Sequence, residues 1–323
     1  MPVLPNTTPE QVEAEVYDAA TWRCAPYHSS RAGSSPVPLL ILLIIGVNYV
    51  AVVLFTLDMG VDAGKVVGIV IFHLLIGLMF LSWCYTCCTD PGTAPDAWQR
   101  QMSAAASRGE SIPVCRRSGL YKPPRSHYDS VTERLTLNMD HFCPWVVNTV
   151  GFYNRKFFML FLIYANLTML HSVIYLLCQM PRMLPWLMVE DGTGARDRWF
   201  PGLVPLLIVG GAMGIDCLLV FCLLGPFMVF HLGMAAKNET TIEGSSNPHY
   251  NVGVMANLRS VFGHKIWTWP IPLYLHGPDG DGLHWPGHPS SIGRPRPRSQ
   301  SSGTQLTTVS ASVTPTNVKE EVP

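Results

Sequence analysis

Asp140, His141 and Cys143 put a carboxylate, an imidazole and a thiol into one short stretch, MDHFCPWVVNTVGFYNRKFF. Sulfur reacts as the thiolate, and a free thiol of pKa about 8.5 needs a base or a cation beside it to act as a nucleophile at neutral pH. A histidine two residues away supplies the base. An aspartate next to that histidine supplies an acceptor that fixes one ring nitrogen as N–H. Taken alone, D-H-x-C is raw material for an activated thiol and equally the content of an ordinary structural turn, so its weight depends on its surroundings.

The chain that must position these residues has 323 of them, 48% apolar and 14% charged, against roughly 25% charged in a soluble domain. The deficit is concentrated. No charged residue falls between Arg31 and Asp58, between Lys65 and Asp90, or between Lys156 and Arg182, and residues 200–230 are interrupted only by Asp216. A bilayer core of about 30 Å takes about 20 helical residues, and lipid offers no partner to bare backbone groups, so each gap reads as a membrane-spanning helix. The expected fold is an all-α integral membrane protein. It comprises a cytosolic tail 1–36, spans 37–57, 66–88, 157–180 and 203–230, a cytosolic catalytic loop 89–156, a folded cytosolic element 231–276 and a disordered tail 277–323.

Orientation follows from the positive charges. The 89–156 loop carries nine Lys/Arg, the 58–65 loop one, and the 182–199 loop three balanced by three acids. The positive-inside rule then places the long loop and both tails in the cytosol. Residues 1–36 lack the basic-then-apolar start of a secretory leader. In a reducing cytosol the nine cysteines are candidates for metal binding or catalysis, not for bridging. A balance of 22 basic and 22 acidic residues gives no argument for nucleic acid as a partner.

With the spans in place, the chain resembles the DHHC palmitoyltransferase family from residue 36 to about residue 265. Asp90-Pro91-Gly92 follows the second span, as the family's DPG triplet does. Asp140-His141-Phe142-Cys143-Pro144-Trp145 is similar to the DHHC core with its CPW extension, and Asn148, Val150, Gly151, Asn154 and Phe158 sit as in the run that follows it. Thr240-Thr241-Ile242-Glu243 resembles the TTxE motif, and Asn247-Pro248, Tyr250, Gly253, Asn257, Phe262 and Gly263 resemble the C-terminal element.

The resemblance implies a two-step S-acyl transfer from a long-chain acyl-CoA such as palmitoyl-CoA, the co-substrate, to membrane-proximal cysteines of protein substrates. Cys143 would be the nucleophile, His141 its base and Asp140 the group orienting His141. Thr241 would steady Asp140, Asn257 would tie the tail element to the core, and Trp145 would sit near the acyl-CoA entrance, unless it belongs to an interfacial aromatic belt. Arg155, Lys156 and Lys237 either meet the CoA phosphates or are ordinary positive flanks. The implied setting is the endomembrane system (endoplasmic reticulum, Golgi or plasma membrane); an accessory subunit is left open.

One departure is large. Cys115 keeps the first zinc-ligand position of the family's cysteine-rich segment, but Ser118, Tyr128, Asp129, Thr132, Leu135, Phe142 and Thr149 occupy the others. Zinc needs about four N or S donors, so no structural zinc is expected, no bound cofactor is called for, and the loop must be held by packing and hydrogen bonds, with Asp129 pairing Arg125 or Arg134. Retention of Asp140, His141 and Cys143 alongside loss of the metal-side histidine fits an enzyme whose chemistry outlived its metal. The alternative is a catalytically inactive membrane scaffold.

Within the spans, Asp216 is costly and suggests function or a buried pairing with His73 or His171. Gly210, Gly211 and Gly214 suggest close helix packing. Asn48, Asn166, His73 and His171 read as interhelical hydrogen-bond partners, and Cys84, Cys87 and Cys88 as either S-acylation sites or small apolar fillers.

Overall fold

The computed structural model describes residues 36–188, 204–244, 250–274 and 277–285. Four apolar helices are long enough to cross a bilayer. They are α1 (Val37–Leu57), α2 (Ala63–Cys88), α4 (Arg155–Met188, its candidate span ending at Leu184) and α5 (Val204–Lys237). A short amphipathic helix, α3 (Asp96–Ser107), lies within the 89–156 loop and buries Trp98, Met102 and Ala105 along one face. The described residues are mostly helical, as expected. The loop adds two antiparallel hairpins of three-residue strands, β1 (His127–Asp129) with β2 (Arg134–Thr136) and β3 (His141–Cys143) with β4 (Asn148–Val150). Helix α6 (Val254–Phe262) follows α5. The expected 1–36 tail (but for Pro36), most of the 182–199 loop, Asn247-Pro248 and residues 286–323 lie outside the described residues.

Helix α4 is the central pillar. Of its apolar window 72% is buried, against 22%, 22% and 17% for α1, α2 and α5. The other three turn residues such as Leu43, Leu74 and Leu207 outward, which suits helices whose solvent is lipid. Close approach of α2 to α4 depends on Gly68, where an added Cβ would lie 2.2 Å from the Tyr175 ring.

Several expectations within the spans are corrected. Asp216 pairs neither His73 nor His171; Asn48 Nδ2 donates to its Oδ1 at 3.0 Å, joining α1 to α5. His171 Nε2 meets the Gly68 carbonyl of α2 at 3.0 Å, and His73, besides a bond within α2, reaches the Tyr49 hydroxyl of α1 at 3.4 Å, so both bridge helices as read from the sequence. Asn166 does bridge helices, donating to the Leu224 carbonyl at 3.2 Å. Gly210, Gly211 and Gly214 have nothing within 4 Å of an added Cβ among the described residues, so they mark no tight crossing. Helices α1 and α5 each widen into a π-helical turn, Val50–Leu54 and Leu219–Leu224, shortly after the Asn48 and Asp216 positions.

Two boundaries also move. Helix α5 continues past residue 230 to Lys237 and ends on Asn238 in the left-handed conformation (φ 56°). Of the tail expected to be disordered from Gly277, residues 277–285 pack: Leu283 and Trp285 are buried, because Trp285 finds the Phe152 and Tyr250 rings to lie against.

Candidate active site

The catalytic loop is anchored to the end of α2 by groups that satisfy one another. The last carbonyls of a helix lack intrahelical donors, and Asn148 Nδ2 reaches three of them here, on Thr86, Cys87 and Thr89, at 3.0, 3.2 and 2.9 Å. The turn after α2 is closed by Asp90, whose Oδ1 accepts from Gly92 N at 2.8 Å while Oδ2 accepts from Arg134 at 2.8 Å. Gly92 has φ 102°, and a Cβ there would meet the Tyr153 ring at 2.7 Å. The Asp-Pro-Gly triplet is thus a docking turn whose carbonyls pair with Leu137 N and Tyr153 N of the loop.

Hairpin β3–β4 then presents the candidate reactive residues. His141 pairs in register with Val150, Phe142 with Thr149 and Cys143 with Asn148. His141 and Cys143 are two apart on one strand, so their side chains leave the same face. Asp140 precedes the strand and is fully buried. Its Oδ1 accepts from Thr241 N at 2.8 Å, its main-chain carbonyl accepts from the Thr241 hydroxyl, and its Oδ2 accepts from His141 Nδ1 at 2.8 Å. In the neutral ring, Nδ1 as the donor leaves Nε2 as the acceptor; Nε2 is buried and has no hydrogen-bond partner among the described residues. Cys143 is 4% exposed, in an apolar cluster with Val146, Val150, Phe158 and Met79, against which Trp83 and Leu75 of α2 pack. The thiol therefore faces the imidazole on one side and the apolar interior of the bundle on the other.

The electrostatics match that geometry. Burial by itself pushes the Asp140 carboxyl up. The His141 hydrogen bond and the Arg155 and His141 charges outweigh burial and hold it at about 2. Burial likewise pulls the His141 imidazole down, and the Asp140 bond, the side-chain interaction with Cys143 and the Asp140 charge reverse this, raising it to about 9. A base of that strength can hold the proton of an ordinary thiol.

The former zinc positions do not fit a metal. Asp129 Oδ2 accepts from the Thr132 hydroxyl at 2.9 Å and from the Thr149 hydroxyl, its Oδ1 accepts from Val131 N at 2.8 Å, and Leu135 beside them is buried. Three positions expected to hold metal in the family have converged on a carboxylate with two hydroxyl donors, and a site so composed offers one hard ligand and no sulfur or imidazole. The expected Asp129 pairing with Arg125 or Arg134 is replaced by this cluster: Arg134 bonds Asp90 and Arg125 bonds Glu243. Among the described residues, the one group of three His, Cys, Asp or Glu close enough to hold an ion is Asp140, His141 and His231, at the candidate reaction centre.

Two of the three expected CoA contacts are corrected. Arg155 is buried, donating to the Glu239 carbonyl, and Lys156 is fully buried, donating to the Thr268 and Leu273 carbonyls at 2.9 and 2.6 Å. Both are enclosed because the element after α5 folds back over the start of α4. Lys237 is exposed at the end of α5. Trp145 is 42% exposed, and its carbonyl accepts from Trp83 Nε1 at 3.1 Å. Asn257 is buried and donates to the Ala236 carbonyl at 2.7 Å, linking α6 to α5.

Sequence reasoning passed over His231, on α5, whose Nδ1 lies 3.5 Å from Asp140 Oδ2. A lone histidine within an apolar helix carries no signal of its own; only its place near the C-terminal end of the last span, ten residues before Thr241, hinted at the site.

The family model described as DHHC palmitoyltransferase matches residues 110–248. The chain is 34% identical to probable protein S-acyltransferase 13 of Arabidopsis thaliana over 269 residues, covering 76% of this chain and 86% of the relative. It is 33% identical to probable protein S-acyltransferase 12 of the same plant over 73% of this chain and 86% of the relative. To palmitoyltransferase ZDHHC2 of Homo sapiens it is 27% identical, over 76% of this chain and 73% of the relative. A multi-pass membrane chain with an acid–imidazole–thiol hairpin at the mouth of its helices thus belongs to the DHHC palmitoyltransferase family, as a protein S-acyltransferase that draws on acyl-CoA.

Proposed function

We propose that acyl transfer runs through a Cys143 acyl-enzyme on a loop that carries no zinc. His141 Nε2 takes the Cys143 proton, and the sulfur attacks the thioester carbonyl of palmitoyl-CoA. The bond from that carbon to the CoA sulfur breaks, and the departing CoA thiolate takes the proton back from His141. In the second step His141 receives the proton of a substrate cysteine, whose sulfur forms the new thioester; the bond from the acyl carbon to Cys143 Sγ breaks, and the leaving Cys143 thiolate takes that proton back from His141. Asp140 keeps its charge throughout and holds the imidazole in one tautomer. The observation that carries this reading is the position of Cys143, between a base held by Asp140 and an apolar cluster built from the membrane helices. An acyl chain entering that cluster gains about 0.8 kcal/mol per buried methylene. The loop, Trp145 and Lys237 face the cytosol, with Lys237 available to CoA phosphates, and the protein substrates carry cysteines close to the membrane face.

Incubating the purified full chain with palmitoyl-CoA should give a hydroxylamine-sensitive adduct that peptide mass mapping places on Cys143. A folded preparation that stays unlabelled would favour the inactive scaffold. The same preparation should contain no stoichiometric zinc and should keep its melting temperature in excess chelator, since a chain whose fold depends on a metal loses it to chelation. Stoichiometric zinc, or unfolding by chelator, would overturn the zinc-free loop and leave the acyl-enzyme reading standing.

A further inference from the structure

His231 is 1% exposed, and neither of its ring nitrogens makes a hydrogen bond. Its neighbours are aromatic: the rings of Phe158, Phe227 and Phe230 stand edge-on at centroid distances of 5.2, 4.4 and 5.4 Å. A phenylalanine would complete that cluster without burying polar nitrogen, and buried polar groups without partners are few in native proteins. The ring is nevertheless aimed at chemistry. Its Nδ1 lies 3.5 Å from Asp140 Oδ2, the same oxygen that accepts from His141 Nδ1 at 2.8 Å, and the two imidazole centroids are 5.5 Å apart. The charged and titratable groups around it are Asp140, His141 and Arg155.

We propose that His231 is a positioning residue, a second imidazole whose Nδ1–H closes onto Asp140 Oδ2 and holds the carboxylate in place while His141 changes its charge during acyl transfer. The proposal rests on the Cys143 mechanism above. When His141 is an imidazolium, its bond to Asp140 is charge-assisted and short; when the proton returns to the leaving thiolate, that bond weakens. Oδ1 is already occupied by Thr241 N. Oδ2 has room for a second donor, because each carboxylate oxygen accepts two. Moving Nδ1 in from 3.5 Å by about half an ångström reaches ordinary bonding distance. His231 thus acts through Asp140 and not on the thioester.

Side-chain isosteres separate this role from packing. In His231→Asn the amide nitrogen stands where Nδ1 stood, in His231→Gln it stands where Nε2 stood, and His231→Phe keeps the ring and removes both donors. The measurement is first-turnover CoA release from palmitoyl-CoA by the purified full chain, with Cys143→Ser as the control. His231→Phe and His231→Gln should slow release by about ten- to hundredfold, as loss of a hydrogen bond to a charged group does, while His231→Asn stays within about threefold. Equal rates in all three variants, whether near wild type or uniformly lost, overturn the proposal. If Cys143→Ser still releases CoA at the wild-type rate and carries label, the mechanism beneath it fails instead.

Discussion

Asp140→Asn is expected to lower the rate of acyl-enzyme formation by about 10³–10⁴-fold while the loop stays folded, the size of loss seen when a triad aspartate becomes asparagine in a serine protease. The amide can be accommodated, because Thr241 N still finds an oxygen at the Oδ1 position and the Thr241 hydroxyl bonds the main-chain carbonyl, which is unchanged. What changes is the group facing His141. At 2.8 Å from Nδ1 an amide N–H can only donate, which forces the imidazole proton onto Nε2. The nitrogen that must accept the Cys143 proton is then already protonated. A single-turnover labelling time course reads the rate. A loss of less than about tenfold, or 1.4 kcal/mol, would mean that Asp140 does not set the tautomer.

The same substitution has a titration signature with a definite sign. His141 stands at about 9 because the Asp140 bond and charge, together with Cys143, overcome burial. Without the carboxylate, burial acts against a weaker opposition, so the imidazole should titrate well below 9, measurable by NMR of labelled histidine. Stability follows by linkage. A histidine raised on folding contributes stability that is fully present below its unfolded value of 6.5 and lost as pH rises through about 9. An aspartate lowered on folding contributes stability present above 3.8 and lost as pH falls through about 2. Wild type should therefore lose stability at both edges, and Asp140→Asn should flatten both. An alkaline edge that survives the substitution would place its origin elsewhere.

Much of this was legible in the sequence because the bilayer leaves few options. A charge-free run of about 20 residues has to be a helix that spans or is buried, and the four gaps became α1, α2, α4 and α5. The candidate trio Asp140, His141 and Cys143 was legible because it falls within four consecutive residues. What could not be read were pairings between residues far apart in the chain. Arg155 and Lys156 look like positive flanks of a span, yet the carbonyls of Glu239, Thr268 and Leu273 close over them. Phe142 and Thr149, seen one at a time, are lost ligands. Their pairing across hairpin β3–β4, and the hydroxyl that Thr149 turns to Asp129, follow only from strands too short to leave a periodic signal. His231 meets the same limit, since nothing within α5 tells a histidine packed by phenylalanines from one aimed at a carboxylate 91 residues earlier in the chain.

The loop segment proposed to hold its fold without zinc should answer most sharply to Arg125. Its guanidinium is wholly buried and directs its donors to Glu243, to the Asn238 side-chain oxygen at 2.8 Å and to the Asn238 carbonyl at 2.8 Å. Both Glu243 oxygens accept from Nε at 3.0 Å, and Oε2 also accepts from a terminal nitrogen at 2.7 Å. The Tyr250 and Trp285 rings flank it, with centroids 4.5 and 4.3 Å from Cζ. One side chain thus joins the degenerate loop, the end of α5, the acid of the TTxE motif and the C-terminal segment. Arg125→Met would leave the Glu243 carboxylate buried without its cation, a change that costs about 3–5 kcal/mol, whereas Arg125→Met with Glu243→Leu removes both charges and should recover part of it. Arg125→Lys should fall between, because an ammonium keeps the charge but neither forks across a carboxylate nor stacks between two rings. Thermal unfolding followed by tryptophan fluorescence reads the order, with Trp285 reporting from the site. Thr241 is two residues before Glu243 and bonds Asp140, so the loss should appear in acyl-enzyme formation below the temperature at which the spans unfold. If Arg125→Lys melts and reacts as wild type does, the fork and the stack contribute nothing, and Phe142, Leu135 and the Asp129 cluster hold the loop without them.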